Sequence, residues 1–163
     1  MRALVRVTVF AAAMVIGFAL PRVAAQGSDA WIGTWTLNLA QSSYEPANLA
    51  PKNQTTKIAA SGDMLTAVTD GADGDGKTIH TEITYKMDGK DYEYKGAADA
   101  NSTRAYTRVD DHHYSYVTKV KGQITTTSRV AVTPDGKTRT ITTTGRDAEG
   151  RVIRNFSVWN RVG

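Results

Sequence analysis

Few residues in this chain have side chains that carry chemistry. There is no cysteine, and the histidines are His80, His112 and His113. Without a thiol there is no disulfide, no Cys-ligated metal, no iron–sulfur cluster and no thiol nucleophile. A three-ligand catalytic zinc site would need His112 and His113 with Asp110 or Asp111. Neighbouring side chains in a strand point to opposite faces, so this pair reads as a polar turn rather than a metal site. The run Asp70-Gly71-Ala72-Asp73-Gly74-Asp75-Gly76 has the composition of a calcium loop. With Gly76 at the sixth position of an EF-hand, Asp73 and Asp75 fall at the third and fifth and Glu82 at the twelfth. The first position is then Gly71, and no helices flank the loop, so a flexible hairpin is expected. No G-x-S-x-G elbow sets a serine beside a histidine, and no spacing singles out two carboxylates. The sequence names no catalytic residue, metal site or cofactor, and the chain reads as a non-enzyme.

Aromatic and hydroxyl side chains are the remaining candidates. After residue 25 the chain carries 21 threonines and seven tyrosines, whereas Leu, Ile, Val and Phe number 21 of 138 residues. So small an aliphatic fraction signals disorder when net charge is high. Here the charge is near zero and Thr, Tyr and Trp favour strands, so a folded β protein with a thin core is expected.

Period-2 segments run through Ala30–Leu39, Thr55–Ala60, Met64–Thr69, Thr78–Met87, Tyr92–Lys95, Ser102–Val109, His113–Val120, Gln123–Thr133, Lys137–Thr144 and Val152–Arg161. Turn-formers separate them, among them Ser61-Gly62-Asp63, Asp88-Gly89, Lys121-Gly122 and Pro134-Asp135-Gly136. One short helical turn is expected near Ala47–Leu49. The pattern predicts an all-β fold, a single antiparallel up-and-down β-barrel of about 8–10 strands, with the first strand pairing with the last to remove exposed edges. An outer-membrane barrel does not fit, because both faces of many strands are polar.

The N-terminus has its own pattern. Arg2 and Arg6 precede the apolar run Val7–Leu20, and Val23 and Ala25 supply small residues before Gln26. This run is shorter than the roughly 20 residues of a spanning helix, so residues 1–25 read as a cleaved signal peptide and 26–163 as the domain. The whole-chain charge of +4 falls to +1 without the three arginines of residues 1–25. A nearly neutral remainder gives no reason to expect nucleic acid or an anionic membrane as partner. The product is expected in the periplasm or secreted, as a monomer, with no membrane insertion after signal cleavage.

The segment Trp31-Ile32-Gly33-Thr34-Trp35-Thr36-Leu37-Asn38 resembles the G-x-W opening of lipocalins and fatty-acid-binding proteins. From Trp31 to Val162 the chain is similar to small secreted bacterial lipocalin-like (calycin-type) proteins that are functionally uncharacterised, with a GTW-x-LN start and the turns Asp88-Gly89-Lys90 and Asp135-Gly136-Lys137. The resemblance implies a barrel whose tryptophan plugs one end. Two departures stand against a fatty-acid role. Ala40–Asn53 is too short and Pro-rich for the two-helix lid, and Ser157-Val158-Trp159 replaces the R-x-Y carboxylate grip of the last strand.

Alternation puts Ile79, Thr81, Ile83, Tyr85 and Met87 on one face, Tyr114, Tyr116, Thr118 and Val120 on another, and Ile124, Thr126, Ser128, Val130 and Val132 on a third. On the sixth strand the apolar-plus-Thr face is Ala105, Thr107 and Val109, opposite Arg104, Tyr106 and Arg108. If the apolar-plus-Thr faces point inward, the lumen is either a hollow for a mixed polar–apolar small molecule or is filled by its own rings. Trp35 and Trp159 are expected to meet at the closing seam, stacked or flanking Arg161 or Arg154. The ligand-binding candidates are Trp35, Tyr85, Tyr114, Tyr116 and Trp159, for a small hydrophobic or amphipathic molecule. The alternative is a filled barrel acting as a structural or interaction module, which binds a protein or envelope polymer through exposed Tyr44, Tyr92 and Tyr94.

Overall fold

The computed structural model describes residues 29–147 and 149–163; the signal-peptide expectation for residues 1–25 lies outside them. Ten strands follow in order: β1 (Gly33–Glu45), β2 (Asn53–Ser61), β3 (Met64–Ala72), β4 (Thr78–Tyr85), β5 (Asp88–Glu93), β6 (Ser102–Arg108), β7 (His113–Val120), β8 (Gln123–Val132), β9 (Thr138–Arg146) and β10 (Val152–Arg161). A single 3-10 turn, Ala47–Leu49, lies between β1 and β2. The strands form one antiparallel sheet ordered β4-β3-β2-β1-β10-β9-β8-β7-β6-β5. First and last strands pair, with Leu37 opposite Trp159 and Trp35 opposite Arg161. The predicted all-β, up-and-down barrel is the observed fold.

Tight turns hold the meander in register. At the β7–β8 turn Lys121 and Gly122 both take positive φ, +50° and +80°. Two consecutive left-handed residues make the hairpin turn whose twist matches the flanking strands. β1 is longer than its sequence pattern suggested, because a wide bulge lets the polar run after Asn38 continue the strand. The β1–β10 register shifts between Asn38 and Ser43. There the Ser42 hydroxyl donates to the Asn38 carbonyl at 2.7 Å and accepts from the Val158 N–H at 3.0 Å. Side-chain oxygen replaces the ladder partners that the bulge removes.

Closure is incomplete on one side. β4 and β5 do not pair; β4 is joined only to the segment just after β5, by a bridge of Glu82 with Lys95 made of two backbone hydrogen bonds of 3.1 and 3.0 Å. β5 itself begins at Asp88 rather than at Tyr92, and pairs only with β6.

Trp31 and Trp35 are fully buried and plug the end where β1 starts. The Trp35 indole N–H donates to the Trp31 carbonyl at 2.9 Å. Arg161 locks this plug from the last strand: its guanidinium donates to the carbonyls of Gly136, Ile32 and Ala30 at 2.5, 2.6 and 2.5 Å. The same group lies 4.3 Å from the Trp35 ring centroid.

Candidate functional site

The barrel interior holds a partly open cavity of about 200 Å³. Its apolar wall is aromatic: Tyr85 from β4, Tyr106 from β6, Tyr114 and Tyr116 from β7, and Trp159 from β10, with Ile58, Ile79, Ile83 and Ile141 between them. Hydroxyl and amide groups of Gln54, Thr56, Thr69 and Thr81 lie among these apolar residues, Thr56 beside Ile58 on β2 and Thr81 between Ile79 and Ile83 on β4. Strand alternation explains the mixture, since every second residue of β2, β3 and β4 faces the lumen and threonine occupies many of those places. Some hydroxyls are mutually satisfied: Thr56 with Thr69 at 2.8 Å, and the Tyr94 hydroxyl donating to Thr81 at 3.2 Å.

Four of the five candidate residues, Tyr85, Tyr114, Tyr116 and Trp159, line this cavity together. Trp35 does not; it is buried in the end-plug, because its place in β1 puts it below the cavity with Trp31. Tyr85 and Tyr106 stack at 3.8 Å, Tyr106 and Tyr116 stand 5.1 Å apart, and Trp31 meets Tyr114 edge-on at 5.2 Å. Burial pushes the phenols of Tyr85, Tyr106 and Tyr114 well above their ordinary range, so they stay neutral in the fold.

Two guanidiniums complete the wall, and neither was assigned to it by sequence pattern. On β6 the inward face is the reverse of the expected one: Arg104 and Tyr106 line the cavity, and Val109 is 67% exposed. The physical reason is stacking. Tyr106 gains Tyr85, Tyr114 and Tyr116 as neighbours, and Arg104 lies 3.7 Å from the Tyr94 centroid and 4.8 Å from that of Tyr116. Arg104 Nε also donates to the Thr118 hydroxyl at 3.3 Å. The β8 face is corrected at its start, where Ile124 is 63% exposed while Ser128, Val130 and Val132 are buried. The β7–β8 register shifts between Thr118 and Lys119, so alternation does not carry from Ser128 back to Ile124.

Arg139 on β9 is 2% exposed. It lies opposite Trp159 in the β9–β10 ladder and opposite Val132 in the β8–β9 ladder. Its guanidinium sits 4.8 Å from the Trp159 centroid and 5.1 Å from that of Trp35. The cation between the two tryptophans is therefore Arg139, with Arg161 on Trp35 alone; Arg154 instead pairs with Glu45 at 3.3 Å. One signal in the sequence pointed to it: Arg139 shares the alternation of Ile141 and Thr143.

The electrostatics of this interior are one-sided. All 16 carboxylate side chains lie within the described residues, and none of them lines the cavity. Neither Arg104 nor Arg139 takes part in an ion pair; the ion pairs join other residues. Burial lowers the Arg139 pKa, yet a guanidinium retains its proton in proteins. Taking such an ion out of water costs several kcal/mol, and one cation–π contact returns about 0.5–2 kcal/mol. The two indoles and the Tyr114 hydroxyl offset part of this cost, and no carboxylate neutralises the charge. Arg139 Nε is, in addition, a buried donor with no acceptor.

The other sequence candidates lie on the surface. Asp110 accepts from the backbone N–H groups of His112 and His113, each at 2.8 Å, and from the His113 ring. His80 pairs with Asp70 at 2.6 Å across the β3–β4 ladder. Asp73 turns its carboxylate onto the N–H groups of Asp75 and Lys77 at 3.0 and 2.8 Å, shaping the hairpin loop. Of the aromatics expected on the surface, Tyr94 is in the cavity wall, and Tyr92 and Tyr44 are half-buried. The β5–β6 connection folds Tyr94 inward through the Lys95 bridge to β4.

The barrel is similar to zebrafish ileal bile acid-binding protein, solved in complex with cholic acid. That comparison has 11% identity and a TM-score of 0.50, and covers 82% of this chain and 99% of the other. The siderocalin Ex-FABP aligns with 14% identity and a TM-score of 0.39, over 83% of this chain and 75% of that one. No family model matches the chain, and no curated protein matches it. The likeness to the bile acid-binding protein is one of fold: a nearly closed antiparallel up-and-down barrel.

Proposed function

We propose that this chain is an exported, non-enzymatic binding protein that holds a small, partly apolar molecule inside its barrel. The observation that carries the reading is the 200 Å³ cavity, walled by five tyrosines and Trp159 together with threonine hydroxyls. Ligand sites combine such an apolar surface with a few fixed polar groups that set orientation. The solved neighbour with bound cholic acid supports the reading by analogy of fold. Tyr85, Tyr114, Tyr116 and Trp159 would contact the ligand, while Trp35 holds the floor beneath it. Residues 1–25 would direct export, leaving a monomer in the periplasm or outside the cell.

Native mass spectrometry on residues 26–163, purified gently from the producing cell's envelope or medium, tests this directly. A reproducible mass increment that denaturation removes is expected. A bare mass that persists after incubation with lipid and small-molecule extracts would instead favour an interaction module, with partners on the outer surface.

A further inference from the structure

The cavity is small, aromatic and positively charged, and these three properties together define a class of ligand. We propose that it is a receptor site for a planar organic anion of one ring or two fused rings, with Arg139 and Arg104 supplying the counter-charge. This rests on the binding reading above and narrows it. Size favours a small ligand. An engineered protein cavity of about 150 Å³ accommodates benzene, so about 200 Å³ admits a ring with one acidic substituent or a bicycle. A steroid or a long acyl chain exceeds this volume and would extend out of the cavity. Shape follows from the wall, where Tyr85, Tyr106, Tyr116 and Trp159 offer ring faces and edges.

Charge decides between an acid and a neutral molecule. Arg139 is 2% exposed, lines the cavity, and has a buried Nε–H with no acceptor. Arg104 enters the same cavity from β6, held by Tyr94, Tyr116 and the Thr118 hydroxyl. The protein's own partners here are neutral hydroxyls, Tyr114 beside Arg139 and Tyr106 beside Arg104, and with no carboxylate in the wall both charges remain for a ligand anion to neutralise. A guanidinium presents a planar fork that matches a carboxylate with two parallel hydrogen bonds. A neutral amide has one acceptor and no charge, and an amine would be repelled.

The test is isothermal titration of the folded domain with benzoate and naphthalene-2-carboxylate, alongside their carboxamides and benzylamine. The acids are expected to bind at least tenfold more tightly than the amides, with no binding of the amine. Arg139→Gln and Arg104→Gln should each weaken acid binding at least tenfold and leave amide binding within about twofold. Arginine Nε–H resonances in an NMR spectrum give a readout in the unaltered protein: acid should shift those of Arg139 and Arg104, and amide should not. Equal affinity for acids and amides would overturn the anion assignment while leaving the binding reading intact. Binding of none of the probes, with the arginine resonances unmoved, would count against this ligand class; a bare native mass would in addition count against the binding reading. Saturation of the shifts by chloride, with no further change on adding acid, would make the site an inorganic-anion site and overturn the proposal.

Discussion

Tyr85 and Tyr106 stack nearly face to face, their ring centroids 3.8 Å apart and their planes 20° from parallel. Tyr85 ends β4 and Tyr106 sits in β6, so the pair spans the open side, where the Glu82–Lys95 bridge is the sole ladder contact from β4 to the β5–β6 connection. The rings do from within what a ladder does elsewhere. Tyr85→Ala and Tyr106→Ala should each destabilise the barrel by about 3–5 kcal/mol. In a double-mutant cycle followed by urea unfolding, their coupling should be about 0.5–1.5 kcal/mol. A coupling near zero would mean that the stack does not tie the two strands.

The Glu82–Lys95 bridge depends on Gly96. A Cβ there would lie 2.0 Å from the His80 carbonyl oxygen, and φ is +71°. Gly96→Ala should therefore break the closure without disturbing the β1–β10 seam. Hydrogen exchange should accelerate at the amides of Glu82 and Lys95 and stay slow at Trp159. Unchanged protection at Glu82 would show that the strap tolerates a side chain.

Arg161 ties three backbone carbonyls to the Trp35 ring. Losing it should cost roughly 3 kcal/mol, as expected when several hydrogen bonds to a charged donor vanish together. Arg161→Lys should recover little of this, because one ammonium cannot span the same fork. Denaturation midpoints of Arg161→Ala and Arg161→Lys, with near-UV circular dichroism of the indoles, check both statements.

The pH dependence has two limbs. The carboxyl of Asp110, held by the N–H of His112 and the ring of His113, lies below its usual value, as does that of Asp135, held by Thr133 and Lys137. A depressed folded pKa adds stability above the unfolded value near pH 4, and that stability is lost as pH falls through the folded one. The thermal midpoint should therefore drop below about pH 4, and less steeply in Asp110→Asn. At the alkaline end the phenols of Tyr85, Tyr106 and Tyr114 are raised by burial. Their neutral forms are bound more tightly in the fold, so stability falls as pH rises above about 10. Of the seven tyrosines, these three should ionise at 295 nm only together with unfolding; early ionisation of all seven would contradict the buried cluster.

Much of this protein is legible in the sequence because strand alternation and turn chemistry are local. The bounds His113–Val120 and Val152–Arg161 and the Ala47–Leu49 turn are those of the structure, and the lumenal face of β4 is the one that alternation predicts. Such features depend on backbone geometry within a few residues. The same locality explains what was not legible. Arg104 and Thr107 lie on opposite faces of β6, and polarity alone directs the arginine outward; four tyrosines from β4, the β5–β6 connection and β7 reverse that choice. Arg139 becomes a buried cation only because closure brings Trp35 and Trp159 to either side of it. Local sequence determined the strands and most of their faces, and tertiary closure decided where the charge lies, because a buried guanidinium is stable only in surroundings that distant strands assemble.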